Sequence, residues 1–131
     1  MKFIINIKIK MIDKNNNPFI IWFYYLLREY PNRVPIICEA APRSVLPPLK
    51  KTKYLVPYDM TINQFQFLIR RNLDLTQESA LYLITSKGIA LIGDKTMMEV
   101  YNNHKDKTDN FLYIYYDCEI TMGWNVFLYY L

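Results

Sequence analysis

Residues 53–70 have the sequence KYLVPYDMTINQFQFLIR, which places a strand pattern, a stop signal and a helix pattern in close succession. Side chains alternate over residues 51–56 and Pro57 follows, so this segment is predicted to be a short strand at the edge of a sheet. Asp59 or Thr61 then caps a helix predicted over residues 62–72. The apolar residues of that helix share one face at helical spacing: Ile62, Phe65, Leu68 and Ile69.

The flanking segments extend this pattern to an α+β domain. Upstream, residues 33–40 (RVPIICEA) form a β-rich run, and prolines interrupt the loop from position 42 to 48. Downstream, strands are predicted over residues 81–85 and 111–116, a turn region between Gly88 and Gly93, and a second helix over residues 96–104. The order strand–strand–helix–strand–helix–strand is that of a ubiquitin-like β-grasp. We therefore predict such a domain over residues 30–117, an extension over residues 1–29 that is helical or partly extended, and a tail over residues 118–131.

The composition excludes several classes of protein. The chain has 131 residues, of which 52% are hydrophobic and 21% charged, enough for one domain with its own core. The net charge is +4, but residues 28–123 hold 12 basic and 11 acidic side chains, so a nucleic-acid partner is not expected. The longest apolar run, residues 19–27, is far shorter than the about 20 residues of a membrane-spanning helix. Two cysteines fit a reducing compartment, and we expect a cytoplasmic protein.

The residue types that enzymes use are sparse. No phosphate-binding loop, dinucleotide fingerprint, HExxH or CxxC motif occurs. His104 is the one histidine and lies in the polar stretch NNHKDKTDN, where a solvated surface residue is expected. Cys38 is expected to be a buried, inert thiol, and Cys118 has no basic neighbour to activate it. We predict no enzymatic activity, no catalytic residue, no metal site and no cofactor.

Four segments together carry a specific resemblance. They are YPNRVPIICEAAPRS from position 30, LKKTKYLVPYDMTINQFQFLIRR from 49, TMMEVYNNHKD from 96 and FLYIYYDCE from 111. These segments resemble the autophagy-related ubiquitin-like modifiers, the autophagy-related protein eight family that includes the GABA-receptor-associated proteins and the microtubule-associated-protein light chains. The resemblance implies a β-grasp domain preceded by two short helices. It also implies conjugation through a C-terminal glycine to phosphatidylethanolamine on autophagic membranes, and binding of short acidic aromatic-x-x-aliphatic peptides of cargo receptors and adaptors.

A groove for an extended peptide needs an open strand edge, apolar pockets and charge opposite to the ligand. Residues 51–57, between Pro48 and Pro57, are the candidate edge. The resemblance implies a pocket for the ligand's aromatic residue lined by Pro35, Ile37, Lys53, Leu55 and Phe111, with Leu26 from the extension. It implies a pocket for the aliphatic residue lined by Tyr54, Val56, Pro57, Met60, Phe65 and Leu68. Positive charge for the acidic flank comes from Arg33, Lys50, Lys51, Lys53 and Arg70. Ordinary core packing is the alternative for the apolar members of both sets.

Gly123 matches the reactive glycine of the family. The resemblance implies that a dedicated cysteine protease cuts after this glycine and that E1-like and E2-like enzymes then conjugate it. Met122 stands where the family has an aromatic residue, and residues 124–131 (WNVFLYYL) follow. Two outcomes stay open: these eight residues are a propeptide, or the chain is neither cleaved nor lipidated.

Residues 19–27 (FIIWFYYLL) are apolar where the family carries charged, helix-forming residues. If exposed they form a membrane-contact patch; otherwise part of them packs on the sheet. The leading expectation is a lipid-conjugated modifier that attaches to autophagosomal or related membranes. The alternatives are a ubiquitin-like adaptor that is never lipidated and a membrane-surface protein that uses residues 19–27.

Overall fold

The computed structural model describes Tyr25 and residues 28–119. The elements are β1 (Arg33–Ala40), β2 (Lys53–Pro57), α1 (Ile62–Asn72), β3 (Tyr82–Thr85), β4 (Ala90–Leu91), α2 (Met97–His104) and β5 (Leu112–Asp117). The five strands form one sheet in the order β2-β1-β5-β3-β4, in which β1 and β5 are parallel and the other neighbours antiparallel. The predicted α+β ubiquitin-like fold is confirmed.

The helix boundaries follow from their caps. The Thr61 side chain accepts a hydrogen bond from the backbone N–H of Gln64, and the Gln64 side chain accepts one from the backbone N–H of Thr61. This reciprocal capping box satisfies two backbone donors that a helix start would leave unpaired, and it identifies Thr61 rather than Asp59 as the cap. Thr96 caps α2 in the same position, so that helix begins at Met97.

The two faces of the sheet differ. Alternate side chains of β1 and β5, including Ile36 and Ile114, pack with α1 in the main core, where Phe65 and Ile69 are fully buried. The intervening side chains point to the opposite face. There Ile37 and Phe111 are buried, with half-buried Leu55 and Tyr113 packed against them, and we call these four residues the outer cluster.

The turn region between Gly88 and Gly93 contains a strand that the sequence pattern did not predict. Ala90 and Leu91 pair with Ile84 and Leu83 of β3, so the expectation of a turn alone is wrong. The φ angles of Gly88 (79°) and Gly93 (93°) are positive, which lets the chain turn sharply on both sides of β4. Two residues are too few to produce a visible alternation. Among the described residues, no helix has the length and apolarity needed to cross a membrane.

Candidate functional site

The strand β2 forms one edge of the described sheet, as predicted. Two hydrogen bonds, from Cys38 N to Thr52 O (2.8 Å) and from Tyr58 N to Asn32 O (3.2 Å), show which opposite residues of β1 and β2 are hydrogen-bonded to each other. In this arrangement Ile36↔Tyr54 and Val34↔Val56 are the hydrogen-bonded pairs, whereas Pro35↔Leu55 and Ile37↔Lys53 are not. The backbone N–H and C=O groups of Lys53 and Leu55 therefore point away from β1, toward the open edge.

The Arg33 side chain reaches this edge. Its Nη1 donates a hydrogen bond to the carbonyl oxygen of Leu55 at 3.3 Å. Arg33 is exposed, so a carboxylate of a ligand can approach its guanidinium from solvent. The contact couples one predicted cation directly to the backbone group that a paired peptide would use.

The residues predicted for the aromatic pocket lie together on the outer face of the sheet. Pro35 stands opposite Leu55, and Ile37 stands opposite Lys53. Ile37 and Phe111 are only 4% and 0% exposed, so a ligand side chain can reach them only after a local rearrangement. Leu26 lies outside the described residues.

The residues predicted for the aliphatic pocket divide between core and surface. Tyr54, Val56 and Phe65 belong to the main core, and the rings of Tyr54 and Phe65 meet edge to face with centroids 5.8 Å apart. Asn72 Nδ2 donates a hydrogen bond to the Tyr54 hydroxyl at 3.2 Å, and burial raises the Tyr54 pKa. The half-buried members are Pro57, Met60 and Leu68, which supply the accessible part of this surface.

The predicted cations have different surroundings. Lys50, Lys51 and Lys53 are exposed beside the open edge, and Lys51 Nζ lies 5.6 Å from the centre of the Tyr54 ring. Arg70 instead donates hydrogen bonds to the carbonyl oxygens of Thr76, at 2.9 Å, and Ser79. Its guanidinium thus orders the loop that follows α1, which the sequence pattern did not indicate.

Sequence reasoning also missed Asp109, which is 9% exposed. Its Oδ1 accepts a hydrogen bond from the backbone N–H of Phe111 at 2.9 Å, and its Oδ2 accepts one from the Tyr113 hydroxyl. Burial and this hydrogen bond raise the Tyr113 pKa. Both partners belong to the outer cluster, so Asp109 positions Phe111, a residue of the predicted aromatic pocket, and Tyr113 beside it. An aspartate two residues before a buried aromatic is a turn signal that could have identified it.

The last described residues mark where the tail leaves the domain. Asp117 Oδ1 accepts hydrogen bonds from Ser44 Oγ at 2.9 Å and from the backbone N–H of Cys118 at 2.7 Å. Gly123, residues 124–131 and, apart from the exposed Tyr25, the apolar residues 19–27 lie outside the described residues.

The titratable groups do not resemble a nucleophile set. Burial, followed by the charge of Glu39, raises the pKa of the Cys38 thiol, and burial followed by Asp117 raises that of Cys118. His104, expected to be solvated, is half-buried, and burial with the charges of Lys87 and Lys95 lowers its pKa. Within residues 28–119 no three metal-ligating side chains come together.

A family model described as "Autophagy protein Atg8 ubiquitin like" matches residues 24–123. Similar proteins include three that carry the name "Autophagy-related protein 8". The protein of Mycosarcoma maydis is 40% identical over 96 residues, which are 73% of this chain and 80% of the relative. That of Candida glabrata is 41% identical over 96 residues, with the same coverage. That of Eremothecium gossypii is 42% identical over 95 residues, 72% of this chain and 78% of the relative.

Proposed function

The chain belongs to the Atg8 family of ubiquitin-like autophagy proteins, and we propose that it acts as a lipid-conjugated modifier that recruits cargo receptors and adaptors. In this proposal the β2 edge binds acidic aromatic-x-x-aliphatic peptides, and Gly123 is conjugated to phosphatidylethanolamine. The protein is cytoplasmic and becomes attached to autophagosomal or related membranes. Its own residues perform no catalysis, because the partner protease and the E1-like and E2-like enzymes carry out the covalent steps.

The peptide-binding proposal rests on the direction in which the backbone N–H and C=O groups of β2 point. The backbone groups of Lys53 and Leu55 point toward an edge that no described strand covers, so an extended peptide can pair with them. Leu55 also belongs to the outer cluster, which places an apolar pocket beside the same edge. Backbone pairing and a side-chain pocket are thus available at one position.

Charge supports an acidic ligand. Lys50, Lys51 and Lys53 are exposed in succession around the start of β2, and Arg33 lies at its other end, opposite Pro57. An acidic flank on the peptide would meet cations at both ends of the edge. Such surface charges direct orientation and association rate more than they add affinity.

Calorimetric titration with an acidic aromatic-x-x-aliphatic peptide tests the groove. Lys53→Glu replaces an attraction by a repulsion and should weaken binding roughly threefold to tenfold, with a smaller difference at high salt. Lys87→Glu is the matched control, because Lys87 is an exposed lysine in the turn between β3 and β4. No binding heat, together with no NMR shifts at Lys53 and Leu55, would remove the peptide-binding proposal.

The length of the tail supports conjugation at Gly123. The last strand ends at Asp117, six residues earlier, and six residues can span at most about 20 Å. A glycine within that reach can enter a narrow enzyme channel, and its missing Cβ eases the passage.

Mass spectrometry after incubation with the family's processing protease and conjugation enzymes tests this step. We expect removal of residues 124–131 and addition of the lipid in the wild type, and neither change in Gly123→Ala. If the two proteins behave alike, the modifier proposal fails and an adaptor that only binds peptides remains. Binding to liposomes without any enzyme, lost on deleting residues 19–27, would instead support the membrane-surface alternative.

A further inference from the structure

Two aliphatic side chains of the described surface are unusually exposed. Val45 is 85% exposed and Ile92 is 75% exposed, more than any other large apolar side chain among the described residues. Scattered apolar side chains are normal on a protein surface, so exposure alone says little. Their common position is more informative.

Both lie at the end of the sheet from which the tail leaves. Val45 follows Ser44, whose hydroxyl donates to Asp117 at the end of β5. On the other side of β5, Asp117 pairs with Tyr82 of β3. Ile92 directly follows β4 and lines a cavity of about 170 Å³ together with Tyr82. Going across the sheet end, the order is therefore Val45, the tail exit, Tyr82 and Ile92, and we call this surface the exit rim.

The charges beside the exit rim nearly cancel. Arg43 and Lys95 are exposed, two residues before Val45 and three residues after Ile92. Asp94 and Glu119 are also exposed, and Asp117 at the tail exit is half-buried. A balanced surface with protruding aliphatic groups does not favour a strongly charged partner. It fits the interfacial region of a bilayer, where apolar side chains enter and mixed charges remain among the headgroups.

We propose that the exit rim is a membrane-docking surface, and that Val45 and Ile92 enter the outer part of the bilayer when the tail is anchored there. The inference deepens the proposed function, because a lipid on Gly123 would hold this end of the domain near the membrane. Only five residues lie between Asp117 and Gly123, so a lipid on Gly123 would keep the exit rim within about 20 Å of the anchor. Ile89, in the turn that joins β3 to β4, then lies farther from the bilayer than Ile92, although both side chains line one cavity of about 120 Å³.

The tether explains why such a small surface is sufficient. Two aliphatic side chains give weak binding to a membrane from free solution. A short linker raises the effective concentration of the domain at the membrane to about the millimolar range, so that weak contacts become populated. The docked orientation would be a property of the anchored protein and would be absent from the free one.

Chemical anchoring tests the proposal without the conjugation machinery. Cys118 is half-exposed at the tail exit and Cys38 is fully buried, so a maleimide lipid in a phosphatidylcholine nanodisc should couple the full chain at Cys118. With a paramagnetic headgroup lipid present, NMR should show strong broadening of the methyl groups of Val45 and Ile92. The methyl groups of Ile89 should broaden much less.

Matched variants separate docking from simple proximity. Val45→Ser with Ile92→Ser should reduce the paramagnetic broadening at the Gly93 amide about tenfold, because the partial burial of two aliphatic side chains is lost. Ile89→Ser is the control, since it changes the same residue type at the other end of the same hairpin and should leave the broadening at Gly93 unchanged. Docking should survive about 1 M NaCl, where the Debye length is about 3 Å.

Four results would overturn the inference. Equal broadening at Ile89 and Ile92 means that the domain tumbles freely on its tether, and stronger broadening at Ile89 means the opposite orientation. Loss of docking in high salt means that charges, not aliphatic side chains, hold the surface. Concentration-dependent broadening without the paramagnetic lipid means that the exit rim binds a second copy of the chain. Since coupling at Cys118 needs no enzyme, these results stand apart from the Gly123→Ala test.

Discussion

Removing the buried Asp109 carboxylate should destabilise the fold. This side chain is 9% exposed and accepts hydrogen bonds from the Phe111 backbone N–H and the Tyr113 hydroxyl. Its own backbone N–H donates to Asp106 at 3.2 Å, so the loop before β5 is closed from both sides. Asp109→Ala deletes both acceptors and leaves a small side chain in their place.

The structure gives the size of the effect. The Phe111 N–H is buried, so leaving it without an acceptor costs about 1–3 kcal/mol. Tyr113 is half-buried and can turn its hydroxyl to water, which limits that loss to about 1 kcal/mol. Asp109→Ala should therefore lower the free energy of unfolding by about 2–4 kcal/mol. Asp109→Asn keeps an acceptor oxygen for Phe111 and should cost about 1 kcal/mol.

Urea denaturation of the four proteins of a double-mutant cycle measures this directly. The cycle combines Asp109→Ala with Tyr113→Phe. Because both changes remove the same hydrogen bond, the double mutant should lose about 1 kcal/mol less free energy of unfolding than the two single mutants lose in sum. Asp59→Ala, at an exposed loop position, should stay within about 0.5 kcal/mol of the wild type. Additive changes in the cycle, or an Asp109→Ala protein as stable as Asp59→Ala, would refute the reasoning.

Three further predictions concern single groups. Thr61→Ala should lower the free energy of unfolding by about 1 kcal/mol in urea, and Thr61→Ser should restore most of it, because the hydroxyl is the α1 cap. The fold lowers the pKa of His104, so below pH 6.5, its unfolded value, the unfolded chain binds more protons than the folded one. The free energy of unfolding should therefore decrease as the pH drops through 6.5, and His104→Gln should make this decrease smaller. Alkylation of Cys118 by iodoacetamide should keep accelerating above the usual thiol pKa, whereas Cys38 should react only on unfolding; rapid labelling of Cys38 in the native protein would contradict its burial.

The sequence predicts this fold well where local signals are strong. The helix Ile62–Asn72 has the predicted bounds because its cap and its apolar spacing act within one stretch of chain. β1 also has the predicted bounds, since a β-rich run ends at the proline-punctuated loop. β4 was not predictable, because its two residues pair with β3 only after Gly88 has turned the chain. Short strands depend on a neighbour rather than on their own pattern.

The site is less predictable, because the sequence does not tell which contacts a side chain makes. Alternation places Tyr54 and Leu55 on opposite faces of β2, but only the packing of α1 decides that Tyr54 faces the main core. Arg70 follows Leu68 in the helix and was expected at the peptide groove. Its guanidinium instead reaches the carbonyl groups of Thr76 and Ser79, across a loop whose path no local pattern specifies.

The orientation of the backbone groups at the open edge of β2 can nevertheless be related to the sequence. Pro35 has no N–H, and it occupies a non-hydrogen-bonded pair with Leu55, where none is needed. A one-residue slip of β2 would turn Tyr54 and Val56 out of the main core. That penalty favours the observed register, which points the polar backbone groups of Leu55 outward. Arg33 already donates to the Leu55 carbonyl, so a paired peptide must displace that bond or share the acceptor. An acidic ligand would offer the displaced guanidinium a carboxylate in exchange, so this contact favours the acidic peptides that we propose as ligands.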